Sequence, residues 1–60
     1  SWVGRGAEIA AGAHLDRAVI GAGARIDGVR LSRVVVWRGA HVGADVEDAV
    51  VLPDGRIVRI

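Results

Sequence analysis

The chain has 60 residues, with eight arginines and no lysine against seven carboxylates, for a net charge of +1. A chain this short makes one small domain at most, and the lack of cysteine leaves it without disulfides or thiolate metal sites. Although 52% of its residues are hydrophobic, no apolar run reaches the ~18 residues of a membrane helix, and no basic run interleaved with aromatics marks a nucleic-acid surface.

From the N-terminus the chain repeats itself. VGRGAE (residues 3–8) and IAAGAH (9–14) each open on an aliphatic residue and carry Gly then Ala at the fourth and fifth places. The opening residues continue as Leu15, Ile20, Ile26, Leu31, Val36, Val42, Val46 and Val51. In threes, these steps give periods of 17, 16 and 15 residues, which makes Val3, Ile20, Val36 and Val51 equivalent. Ile9, Ile26 and Val42 form a second set, and Leu15, Leu31 and Val46 a third. The segments LDRAVI, LSRVVV and VEDAVV then align without adjustment. Steps of five and six do not hold one helical face apolar, and glycine recurs too often for a helix. Short strands with glycine corners fit instead, three to a triangular coil. The expectation is all-β: about three stacked coils, parallel strands about 4.8 Å apart, and the opening residues inside as ladders.

Ala7, Ala13, Ala24 and Ala40 suit inward positions near corners. Gly4, Gly6, Gly12, Gly21, Gly23, Gly39 and Gly43 suit turns with positive φ. The register also sets Glu8, Arg25 and His41 in one outer ladder, His14, Arg30 and Asp45 in a second, and Arg17, Arg33 and Asp48 in a third. Glu8–Arg25, Arg30–Asp45 and Arg33–Asp48 become opposite-charge neighbours, each of little energetic consequence when exposed. The short units after Ile26 and Val42 are expected to pinch the walls. VLPDGRI (residues 51–57) reads as a hairpin turn that returns Ile57, Val58 and Ile60 beside the last coil. Residues 1–52 are therefore taken as the coil and 53–60 as a C-terminal turn and capping strand, which covers strand edges that a stack of coils otherwise exposes. The N-terminal end has no comparable cap, and the chain reads as a fragment of something larger.

His14 and His41 are the only histidines and fall on different corners of different coils. Neither a three-histidine metal site nor a His-centred base is legible, and both read as exposed polar positions. Trp37 replaces the glycine of Gly4 and Gly21 and is expected to point outward or cover a corner, with an interface role in view; Trp2 lies on another side. No catalytic, cofactor or metal residue is assigned.

The units VGRGAE, IAAGAH and IGAGAR and the run VVVWRGAHVGADVEDAVV resemble hexapeptide-repeat sequences over roughly residues 2–52. The resemblance implies a single-stranded left-handed parallel β-helix. RLSRVVVWRGAHVG followed by VEDAVVLP is similar to the C-terminal domain of sugar-phosphate nucleotidyltransferases of the mannose-1-phosphate guanylyltransferase-like kind. It implies a parent that joins an NTP to a sugar 1-phosphate with release of pyrophosphate, in the cytoplasm, through an N-terminal catalytic domain not present here. This chain is then a non-catalytic structural and oligomerisation module, a dimer or trimer without nucleic-acid or membrane partners. The alternatives are a fragment of a hexapeptide-repeat acyltransferase, with His14 or His41 as base between subunits, and an engineered minimal β-helix.

Overall fold

A computed structural model describes the whole chain, Ser1–Ile60. It contains no helix. The strands are β1 (Trp2–Val3), β2 (Glu8–Ile9), β3 (His14–Asp16), β4 (Val19–Ile20), β5 (Arg25–Ile26), β6 (Arg30–Val36), β7 (His41–Val42), β8 (Val46–Val51) and β9 (Ile57–Arg59). One sheet runs β1-β4-β6-β8-β9 with β3 also on β6, and a second runs β2-β5-β7. Every pairing is parallel except β8–β9. The chain is an all-β parallel β-helix of about three turns.

The register follows the repeat. Val3 pairs with Ile20 and Ile20 with Val36, Ile9 with Ile26 and Ile26 with Val42, and Leu15 with Leu31. The last coil holds the same register, with Leu31 on Val46 and Val36 on Val51. Each coil donates backbone N–H groups to the carbonyls of the next, as in Gly4 to Ile20 at 2.7 Å and Gly21 to Val36 at 2.7 Å. These bonds set the coil spacing and satisfy the backbone of strands only two or three residues long.

Inside, the ladders form a solid aliphatic stack. Ile20, Ile26, Leu31, Val36, Val42 and Val51 are all buried, as are Ala24 and Ala40, and no polar side chain is buried with them. Ala7 and Ala13 pack against this core from the first coil. Ala18, Val34 and Ala49 form a further buried rung that the opening-residue pattern did not mark. They are there because the third and first sides are not two separate short strands in the later coils. β6 and β8 run through the corner, which is turned at one residue: Arg17, Arg33 and Asp48 have φ of 54°, 52° and 51°. One left-handed residue swings the chain so that the next side chain, Ala18, Val34 or Ala49, points inward again. None of the three is glycine, so each coil holds a backbone conformation that costs L-residues about 1–2 kcal/mol.

Positive φ holds at only some of the corner glycines. Gly6, Gly12, Gly23 and Gly39 do lie in the left-handed region. Gly4, Gly21 and Gly43 do not. At Gly4 a Cβ would stand 2.5 Å from the backbone nitrogen of Ala22, and at Gly21 it would collide with the backbone of Trp37 and Arg38 in the coil above. Glycine is needed there for close approach. The shortened unit after Ile26 is taken up by a tight turn, in which the Val29 N–H donates to the Asp27 carbonyl at 2.6 Å.

The ends differ. At the C-terminus β9 lies antiparallel on β8, Val51 opposite Ile57, Val50 opposite Val58 and Ala49 opposite Arg59. Leu52 N–H donates to the Arg56 carbonyl at 2.8 Å, and Gly55 turns the chain at φ 92°. At the N-terminus Val3 is 45% and Ile9 37% exposed, whereas their counterparts Ile20 and Ile26 are 0% and 1%.

Candidate functional site

With the interior closed and aliphatic, any function lies on the three outer walls and the two ends. The first wall carries the outward residues of β2, β5 and β7. Glu8, Arg25 and His41 stand in register up it. The Arg25 guanidinium meets the Glu8 carboxylate at 3.3 Å. His41 Nε2 lies 3.3 Å from Asp27 Oδ2. A carboxylate beside an imidazole is the arrangement that orients a general base. Here the pair is more than half exposed, and His41 shares a shallow surface with Glu8, Arg25 and the Gly6–Gly23–Gly39 column.

The second wall carries His14 and Arg30 in register, so His14 and His41 lie on different walls. Arg30 and Asp45 do meet, but not as an ion pair. The Asp45 carboxylate accepts the Arg30 backbone N–H at 2.8 Å, because the shortened unit before Val46 sets Asp45 at a turn where it reaches the strand backbone first. At the corner, Arg33 and Asp48 form a two-pronged pair, with Nη2 to Oδ2 at 3.0 Å, and Glu47 lies 3.6 Å from the same guanidinium. The Arg33 hydrogen bond, helped by its charge, holds the Asp48 carboxyl below its ordinary value against a weaker opposing effect of desolvation. The same hydrogen bond raises Arg33. An open groove of about 750 Å³ runs beside β9, lined by Arg30, Asp45, Glu47, Asp48 and Arg59 among others. No three metal-ligating side chains converge anywhere, and no helix is long and apolar enough to cross a membrane.

The third wall is different in kind. Its outward positions are Trp2, Val19, Val35, Val50 and Val58, each paired in register with the next. Trp2, Val19, Val35 and Val58 are 60%, 43%, 38% and 50% exposed. One apolar stripe therefore crosses all five strands without a charge. Trp37, 54% exposed, stands outside the stripe, at the corner position held by Gly21 and Gly4 one and two coils below. The stripe was not read from the sequence, although its signal was present. In AVI, VVV and AVV the middle residue must point outward if its neighbours point in, and an outward valine is as apolar as an inward one.

No family model, curated protein or solved structure matches the chain at a significant level.

Proposed function

We propose that this chain is a non-catalytic structural and oligomerisation module. The observation that supports it best is the separation of chemistry by wall. The ion pairs Glu8–Arg25, Arg33–Asp48 and His41–Asp27 join neighbouring coils, the interior holds no polar group, and one wall is left apolar. Such a body offers a surface for association. The parent reading, the C-terminal β-helix of a sugar-phosphate nucleotidyltransferase, rests on the likeness of RLSRVVVWRGAHVG and VEDAVVLP to that family. The exposed Val3 and Ile9 fit it, since a further coil or domain stacked on the N-terminal end would cover them.

The acyltransferase reading is favoured by one observation, the His41–Asp27 pair, and it requires a second subunit to wall that pair in. Sedimentation of the chain across a dilution series tests the module reading. A β-rich dimer or trimer that dissociates on dilution supports it, and a monomer up to millimolar concentration removes it. Acyl transfer that is lost in His41→Gln would replace it with the acyltransferase reading.

A further inference from the structure

We infer that the apolar wall is the contact surface for a second copy of this chain, packed face to face about a two-fold axis through Val35. The inference rests on the module reading above and names the face, the partner and the symmetry.

The stripe Trp2–Val19–Val35–Val50–Val58 has five rungs, with Val35 on the third. A two-fold axis in the plane of the wall, across the stripe, lays two stripes antiparallel. Val35 then meets its own copy, Val19 meets Val50 of the second copy, and Trp2 meets Val58. A stripe of valines is flat, and sheets packed face to face approach to about 10 Å with side chains interlocking.

The charges along one edge of the stripe decide for a second copy over an unrelated partner. The left-handed corner places Arg17 on the rung of Val19, Arg33 on that of Val35 and Asp48 on that of Val50. Under the same two-fold operation Arg17 comes opposite Asp48 of the second copy, and Asp48 opposite its Arg17, so the edge complements itself twice. The central Arg33 meets its own copy; within its chain it is paired to Glu47 and to Asp48, whose carboxylate the Arg17 contact shares. An isologous contact requires this self-complementarity.

The area bounds the strength. The two largest extents of the molecule, 25 and 21 Å, limit one wall to roughly 500 Å², so two walls bury at most about 1,000 Å² in total, the lower limit for a specific interface. The contact therefore sits at the small end of specific interfaces.

Sedimentation equilibrium of the full chain and four variants tests this, with circular dichroism confirming the β spectrum of each. Val35→Arg places two guanidinium groups on the axis and is expected to raise the dissociation constant at least about 100-fold. Ile9→Arg, at the open N-terminal end, is expected to leave it unchanged. Arg17→Asp and Asp48→Arg each create two like-charge contacts and weaken self-association. Mixed in equal amounts they form a heterodimer with both opposite-charge contacts restored, bound at least about tenfold tighter than either variant binds itself. This mixture decides the matter even if Val35→Arg fails to fold. If the native chain dimerises, but Val35→Arg does so equally well or the mixture shows no preference, the wall assignment is wrong while the module reading stands. If the native chain is monomeric throughout, both fall together.

Discussion

Gly21→Ala tests whether the coils are held as close as the fold requires. The added Cβ would meet the Arg38 Cα and the Trp37 carbonyl carbon, each at 2.7 Å. Ordinary contact needs about 3.5 Å or more, so the coil above must rise by the better part of an ångström. That strains the Gly21 N–H bond to Val36 and the Gly39 N–H bond to Ala22, now 2.7 and 3.1 Å. Overpacking costs about 1–3 kcal/mol and each of the two weakened backbone hydrogen bonds about 0.5–1.5 kcal/mol, so the total is about 2–6 kcal/mol. Whole-domain stability for a chain of this length is about 3–9 kcal/mol, so Gly21→Ala removes a large part of it. Gly23→Ala is the control. Its Cβ meets nothing within 4 Å, and its only cost is a side chain at φ 71°, about 1 kcal/mol. Urea unfolding followed by circular dichroism, at a concentration where the chain is monomeric, measures both. If Gly21→Ala costs no more than Gly23→Ala, the coils are not packed backbone to backbone at this corner and the reasoning fails.

Ile20→Ala should cost about 2–5 kcal/mol as a cavity in the closed stack, and Ile9→Ala, an inward isoleucine of the open first coil on another wall, less than half of that; equal losses in urea titrations would mean the N-terminal coil is as covered as the second. Arg17→Gly should stabilise the monomer by about 0.5–1 kcal/mol, since it relieves a left-handed strain of about 1–2 kcal/mol against glycine's added unfolded-state freedom of about 0.5–1 kcal/mol; a destabilised variant would show that the Arg17 side chain holds something the geometry does not reveal. Asp48 should titrate below the ordinary carboxylate range in an NMR pH series and return to it in Arg33→Gln. Because the folded-state value is the lower one, its contribution to stability is complete above the unfolded-state value and disappears as the pH falls through the folded-state value. An unshifted Asp48 in the native chain would remove the corner ion pair from the account.

Much of the architecture was legible because one constraint acts everywhere at once. A coil that closes in 15–17 residues must present an aliphatic residue inward at each side, so the sequence period and the spatial register are the same fact. Leu15 on Leu31 on Val46 could be read from LDRAVI, LSRVVV and VEDAVV before any coordinates. The corner could not. Arg17 and Arg33 carry no sign of positive φ, and Asp48, a residue that tolerates it, is a weak sign at one corner of three. Without that turn Ala18, Val34 and Ala49 had no reason to be inward. The apolar wall was missed because Val19, Val35 and Val50 are as apolar as the inward Ile20, Val36 and Val51 beside them. The two kinds of glycine were likewise indistinguishable in sequence, because left-handed turns and backbone crowding select the same residue. Arg30–Asp45 was read as an ion pair from register alone, which does not show that a nearby N–H reaches the carboxylate first.

The stack of rungs carries everything else, and methyl-resolved NOE measurement tests it most directly. The account predicts contacts along Ile20–Val36–Val51, Ile9–Ile26–Val42 and Leu15–Leu31–Val46, with Ile20 and Ile26 also meeting across the interior. Contacts that instead join residues three and four apart, or a ladder in which Val36 meets Val50 in place of Val51, would contradict it, the first by replacing the coil and the second by turning its inner and outer faces over.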